Sequence, residues 1–305
     1  MPPRIAIPIP HSVDLEYTDR SIPQYERAIA QAGGEPIRVP LDQTPAEVMK
    51  IIERCDGVLL PGSPADVDPA KFNAARSPHT SATDPRRDTV DELLLQDAYN
   101  MHKPILGICY GLQSLNVYRS GSLIQHIPDF LPEALRAKVD HEAGKKVAVA
   151  HEVEIENEST LADIVSGNSA FDLEDTSSGN QAVDQGNAAA ERRQNAAHGV
   201  SRGSIAPADQ APKGRKKNLI LPVNSSHHQS AEIIGDGLRV SARCTADNII
   251  EALEGTSPDH FVLAVQWHPE RSTDADPASR AIFKALVDAA ADRHQQLAGE
   301  FESVK

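Results

Sequence analysis

Apolar positions in this chain come in short dense runs, separated by stretches with helical period. Arg4 to Pro10 (RIAIPIP) is an Ile-rich run of the kind that makes a buried strand. Gln24 to Ala32 has helical spacing and stops at Gly33-Gly34, as helices do where a residue must turn left-handed. Glu35 to Pro40 predicts a second strand. Thr44-Pro45-Ala46-Glu47 then starts a helix, with Thr44 as N-cap, Pro45 in the first turn and Glu47 closing a capping box. Val48, Ile51 and Ile52 share one face of it. Gly57 to Leu60 is a fully apolar third strand ending in Pro61-Gly62, and a loop rich in Pro, Ser and Asp runs on to about Arg86. Asp88 to Asn100 is helical, Pro104 to Ile108 a strand, and Tyr110 to Tyr118 helical again.

Strands alternating with helices at this spacing predict an α/β fold: a doubly wound, mostly parallel sheet with flanking helices. Val147 to Ile155 changes to period two, the pattern of an antiparallel or edge strand. Ser159 is placed to cap a short helix over Thr160 to Val165. Residues 168–218 break the pattern, with Phe171, Leu173, Val183, Val200 and Ile205 as their only large apolar side chains. Such a segment buries too little surface to offset its ordering entropy, and it reads as a disordered insertion. Strand-like runs return at Leu219 to Leu221, Leu238 to Ala242, Ile249 to Leu253 and Phe261 to Gln266. An amphipathic helix follows from about Pro277 to Gln296, capped by Asp274 or Asp276, with Ile282, Leu286 and Val287 as a core stripe. The whole chain, residues 1–305, is then one catalytic-size α/β domain interrupted by the insertion.

Composition narrows the class without naming a reaction. The 305 residues include 44 acidic and 30 basic side chains, a formal net charge of −14. That balance argues against nucleic acid and anionic membranes as partners, since both need clustered Lys and Arg. No run of about 18 apolar residues is present to cross a membrane, and the apolar run in MPPRIAIPIPHS is too short for a signal peptide. A cytoplasmic chain is expected. Cys55, Cys109 and Cys244 are odd in number and far apart, which argues against a disulfide framework. With no CxxC or Cys/His spacing, neither a metal nor another cofactor is expected. Asp66 and Asp68 read as solvated loop residues, and Cys55 and Cys244 as core cysteines.

The sharpest chemical signal is Gly107-Ile108-Cys109-Tyr110-Gly111, where an apolar strand runs directly into a helix. This is a nucleophile elbow with Cys in place of Ser. It presents the sulfur at the carboxyl end of the sheet, where α/β folds place ligands. The helix N-terminus favours thiolate, and the Tyr110 N–H is available to an oxyanion. A cysteine nucleophile needs a base and an orienter. His268, in Val265-Gln266-Trp267-His268-Pro269-Glu270, lies just past a buried strand, and an extended backbone there would put Glu270 on the same side.

GICYGLQ together with VQWHPE resembles the class I glutamine amidotransferase superfamily. LLPGSPADVDP (Leu59 to Pro69), DPRRD (Asp84 to Asp88), GICYGLQSLNV (Gly107 to Val117) and PVNSSHHQ (Pro222 to Gln229) resemble, within it, the γ-glutamyl-γ-aminobutyrate hydrolase family. The resemblance implies hydrolysis of a small γ-glutamyl amide through a γ-glutamyl thioester, within polyamine catabolism. It implies Cys109 as nucleophile, His268 as base and acid, and Glu270 as orienter. The backbone at Gly62 and Ser63 would complete an oxyanion hole with Tyr110, and Gln113 would line the glutamyl pocket. Ser226, His227, His228 and Gln229 match the family's substrate-side loop, although His227 also reads as an ordinary turn residue. Two departures stand out. The family usually has Arg after the nucleophile, where this chain has Tyr110, and a Gly-Gly pair after the elbow helix, where it has Ser120-Gly121. The first puts a neutral phenol where a cation would face the leaving group, leaving the amine open. Two rival readings stay open: a glutaminase subunit that hands ammonia to a synthetase, and a silent binding protein of the same fold. Whether copies form a homo-oligomer is not legible.

Overall fold

The structure is a computed structural model that describes residues 1–167 and 218–303. The insertion read at 168–218 therefore lies, but for Asn218, outside the described residues. In chain order the elements are β1 (Arg4–Pro8), α1 (Leu15–Gln31), β2 (Glu35–Val39), α2 (Pro45–Ile52), β3 (Gly57–Leu60), α3 (Pro85–Met101), β4 (Ile105–Ile108) and α4 (Tyr110–Tyr118). Then come β5 (Leu123–Ile124), two single-turn helices α5 (Ile127–Phe130) and α6 (Glu133–Arg136), β6 (His151–Ile155), α7 (Thr160–Val165), β7 (Leu219–Val223) and β8 (Ser230–Ala231). The last are β9 (Leu238–Cys244), β10 (Ile250–Gly255), β11 (Val262–Val265) and α8 (Pro277–Ser303).

The main sheet has the order β2-β1-β3-β4-β11-β10-β9-β6-β7. Strands β2, β1, β3, β4 and β11 run parallel, and antiparallel β10, β9, β6 and β7 extend the sheet on one side. Side chains alternate across each strand, so one run supplies two cores. Ile5, Ile7, Leu59, Leu106 and Ile108 pack with Ile22, Tyr25 and Ile29 of α1 and with Ile282, Phe283 and Leu286 of α8. Ala6, Val58, Leu60 and Ile105 meet Val48 and Ile52 of α2, Leu94 and Leu95 of α3, and Leu112 and Leu115 of α4 on the opposite face. The expected doubly wound α/β sheet is what forms.

Local signals set several boundaries. Thr44 and Glu47 make the reciprocal capping box, Ser159 caps α7 through Ala162 N, and Asp276, not Asp274, caps α8 through Ala278 N and Ser279 N. Helix α1 departs most from expectation: it starts at Leu15, capped by Asp14, and runs through Pro23. An interior proline costs about 3 kcal/mol. Burial of Ile22, Tyr25, Ala28 and Ile29, each about 1–3 kcal/mol for a large side chain, outweighs it. Strand β6 is shorter than the period-two run because Val147 stays in the preceding turn, its amide donating to Ala143 O at 3.0 Å; that turn is held to another loop where Gly144 N donates to Ser225 O at 2.8 Å. A Cβ at Gly144 would lie 2.1 Å from the Asn224 carbonyl oxygen, so only glycine permits that approach.

Candidate active site

β4, β3 and β11 end side by side, and their carboxyl ends carry the candidate residues. Cys109 joins β4 to α4 with φ 53° and ψ −103°, a strained backbone that turns the chain sharply. The flanking glycines are required by close approach. A Cβ on Gly107 would sit 2.8 Å from Gly111 O, and one on Gly111 only 2.1 Å from Leu60 O. The first turn of α4 is thus pressed onto β3, and Cys109 stands over the strand ends, 7 % exposed. The Tyr110 amide, first in α4, has no intrahelical acceptor.

His268 follows β11 and is buried. Its Nδ1 lies 2.7 Å from Glu270 Oε1, and Cys109 is close enough to be among the groups that raise the imidazole. The contact to Glu270 does not come from extended backbone as expected: residues Pro269–Arg271 form a short 3-10 turn that folds the carboxylate back under the ring. Burial disfavours the imidazolium, but the adjacent Glu270 carboxylate overcomes this and lifts His268 to about 9. Burial likewise pushes the Glu270 carboxyl up, and His268 pulls it below its ordinary value. Asn224 locks His268 in place: its Nδ2 donates to His268 O and its Oδ1 accepts from His268 N, both at 2.9 Å.

These groups floor a cavity of about 480 Å³ lined also by Ser63, Gln113, Ser226, His228 and Gln229. Gln113 Nε2 donates to the Gln229 carbonyl at 3.2 Å, and Gln229 Oε1 is buried with no hydrogen-bond partner. Three expectations need correction. Gly62 N–H donates to Tyr25 Oη at 3.0 Å, which leaves Ser63 as the free amide of that pair. His227 borders the cavity, but both ring nitrogens are engaged, with Gln229 O at 2.8 Å and Glu251 Oε1 at 3.2 Å. Tyr110 does not line the cavity. Its phenol is buried under the strand ends, hydrogen-bonded to Asp88 and stacked by the fully buried Arg87. It cannot stand on the leaving-group side.

Other contributors were invisible at the level of motif. Asp66 is buried rather than solvated, accepting from Ser81 N at 2.6 Å and lying 3.0 Å from His228 Nε2. Asp68 caps a short 3-10 turn through Ala70 N. Tyr17, Arg20, Lys145 and Arg271 line the cavity mouth and a second space of about 430 Å³ beyond it. Tyr17 and Arg20 lie in the part of α1 that precedes Pro23, so a helix begun at Gln24 loses them. The DPRRD run has a structural use. Asp84 caps α3, while Arg87 ties Asp91, Pro10 O and Pro61 O together beneath the site. Cys55 and Cys244 are buried free thiols, and burial lifts Cys55 to about 11.

Sheet order, elbow and the thiol–imidazole–carboxylate line define the class: a class I glutamine amidotransferase-like α/β protein. The chain belongs to the Peptidase C26 family, whose model matches residues 9–200 and 180–270. A candidate glutamine amidotransferase-like protein of Rickettsia prowazekii is 30% identical over 271 residues, 87% of each chain. The γ-glutamyl-γ-aminobutyrate hydrolase PuuD of Escherichia coli is 28% identical over 269 residues, 87% of this chain and 84% of that one. In fold, the chain resembles a candidate GMP synthase subunit from Thermoplasma acidophilum, with a TM-score of 0.53, 12% identity and 98% of both chains covered. Family and relatives together place the chain among amide hydrolases. No helix among the described residues is long and apolar enough to cross a membrane.

Proposed function

We propose that this protein is a cytoplasmic hydrolase of γ-glutamyl amides whose leaving amine carries a carboxylate, with γ-glutamyl-γ-aminobutyrate as the model substrate. The observation that carries the reading is Cys109 at a strained elbow, lining one cavity with a His268 that Glu270 holds at 2.7 Å. The Cys109 sulfur, its proton passed to His268, attacks the amide carbonyl carbon. The oxyanion that forms is held by the amides of Ser63 and Tyr110. His268 Nε2–H then protonates the amine nitrogen as the C–N bond breaks, leaving a thioester. Water, deprotonated by His268, attacks the thioester, releasing glutamate and restoring the thiol.

The two ends of the cavity suit the two ends of such a substrate. Gln229, with its unpartnered buried Oε1, offers an acceptor for the ammonium of the glutamyl part. Arg20 at the mouth suits a carboxylate on the amine, whereas Lys145 and Arg271 beside it are paired with Glu142 and Glu270. The test is glutamate release from γ-glutamyl-γ-aminobutyrate, an uncharged γ-glutamyl alkylamide and glutamine, with Cys109→Ala as control. Fast release from the first alone is expected. Release chiefly from glutamine would move the reading to a glutaminase subunit of an amidotransferase.

A further inference from the structure

Beneath the 224–229 loop lies a second group of titratable side chains that the proposed chemistry does not use. His141, His151, His227 and Glu251 are all buried, and each offers one donor atom to a common point, the four atoms lying within 4.8 Å of one another. They arrive from separate places: the segment after α6, the start of β6, the substrate-side loop and β10. Glu251 Oε1 is 3.1 Å from His141 Nδ1 and 3.2 Å from the Nε2 atoms of His151 and His227. The His141 and His151 nitrogens are sealed from solvent, yet despite these distances they are not aligned to hydrogen-bond the carboxylate.

The outward nitrogens each meet an acceptor. His141 Nε2 lies 2.8 Å from Asp247 Oδ2, His227 Nδ1 2.8 Å from Gln229 O, and His151 Nδ1 3.4 Å from Glu152 O. Carboxylate and carbonyl oxygens only accept, so each ring keeps a hydrogen on its outer nitrogen, and the inner nitrogen carries either a proton toward Glu251 or a lone pair toward a cation. Without a cation, protons on the inner nitrogens offset the Glu251 charge, and His141 and His151 are raised accordingly; a cation that displaced those protons would meet three lone pairs and a carboxylate oxygen away from water. Outer hydrogen bonds to a carboxylate and to carbonyls are also what orients histidines around metals.

We propose that His141, His151, His227 and Glu251 bind one divalent transition-metal cation, of the zinc class, in a closed tetrahedral site. Three imidazoles with one carboxylate suit zinc-like ions and not magnesium or calcium, which prefer oxygen alone. Four protein ligands leave no open position for water, so the site holds structure and does not catalyse. It ties the loop to the sheet: His227 sits between Ser226 and His228, and Ser225 Oγ donates to the other Glu251 oxygen at 3.1 Å. A side cavity of about 170 Å³, lined by Ile127, Leu131, His141 and His227, gives a cation a way in. Two further groups of potential ligands serve as controls: His141 with Cys244 and Asp247, and the more exposed His79, His126 and Asp129.

The test uses the full-length protein, stripped by a chelator, titrated with zinc or cobalt(II) and analysed for bound metal after gel filtration. One equivalent per chain is expected, with the visible spectrum of tetrahedral cobalt and no thiolate-to-cobalt band, and a thermal midpoint that falls when the metal is removed. Glu251→Gln and His151→Asn should each weaken binding at least ~10-fold, since each deletes a ligand, whereas Cys244→Ser and His79→Ala should retain it. Uptake below roughly a tenth of an equivalent, an octahedral cobalt spectrum, or binding lost in Cys244→Ser or His79→Ala would overturn the proposal. The wild-type stoichiometry and spectrum decide it even if a ligand variant fails to fold.

Discussion

Two buried histidine–carboxylate centres share the 224–229 loop, and they use one electrostatic device to different ends. At each, burial opposes the imidazolium; neighbouring carboxylates overcome that penalty at His268 and His141, and Cys244 with Glu251 does so at His151, lifting all three to about 9, whereas burial holds His227 below its ordinary value. Burial also pushes both glutamates up, and the histidines beside them hold Glu270 below its ordinary value and Glu251 well below it. The difference lies in what the second ring nitrogen meets. His268 has one carboxylate behind it and a thiol and a cavity of about 480 Å³ in front. The rings around Glu251 have protein atoms on both sides. Under the proposed mechanism and the proposed metal site, a histidine–carboxylate pair moves protons where its free nitrogen meets a nucleophile and space for substrate, and holds structure where both ring nitrogens meet protein.

The largest effect should separate the centres outright. Cys109→Ala is expected to lower glutamate release by ~10⁴-fold or more while leaving the unfolding midpoint within about 0.5 kcal/mol of wild type. Substantial turnover in that variant would sink the mechanism. Glu270→Gln should cost ~10²–10⁴ in kcat and also move a pH limit. Because His268 is raised from 6.5 to about 9, its pair with Glu270 stabilises the fold fully below 6.5 and fades as pH rises through 9. The imidazolium that protonates the amine is lost over the same upper range. In Glu270→Gln the alkaline limb of kcat/KM should therefore move to lower pH; an unmoved limb would show that Glu270 does not set it.

The matching change in the other centre, Glu251→Gln, should act first on stability. Leaving three buried histidines without their carboxylate is expected to cost about 3–5 kcal/mol by denaturant titration, and the chemical step in the remaining folded protein should change little. A collapse of kcat at full stability would dissolve the contrast between the centres. Asn224→Ala should fall between them, losing two hydrogen bonds to the His268 backbone for about 1–3 kcal/mol and slowing turnover without preventing alkylation of Cys109. The smallest effect is expected at the rim. Arg20→Ala should raise KM by up to ~10-fold for a carboxylate-bearing amide, less as salt rises, and leave an uncharged γ-glutamyl amide unaffected.

Part of this was legible along the chain because it is local. The elbow is written as Gly107-Ile108-Cys109-Tyr110-Gly111, the candidate base and orienter as His268-Pro269-Glu270, and each expresses itself within a few residues. The loop Ser226 to Gln229 also borders the pocket, with His227 turned to Glu251 instead. What was misread shares one cause. Pro23 looks like a helix stop, and tertiary burial overrides it, so Tyr17 and Arg20 enter the site unannounced. Asp66 looks solvated until His228, far along the chain, arrives beside it. Tyr110 looks like a pocket residue until Arg87 and Asp88 claim its ring and hydroxyl from beneath.

The sequence by itself determined the alternation of strands and helices, the elbow and the candidate trio Cys109, His268 and Glu270, because hydrophobic period and backbone turns act over neighbouring residues. Only the tertiary structure decided which atoms stay free. Tyr25 takes the Gly62 amide, and the four donors around Glu251 come together from positions 141, 151, 227 and 251 with no spacing that marks them. Such meetings follow from sheet order and loop packing, where contacts join residues a hundred positions apart and no local pattern records them.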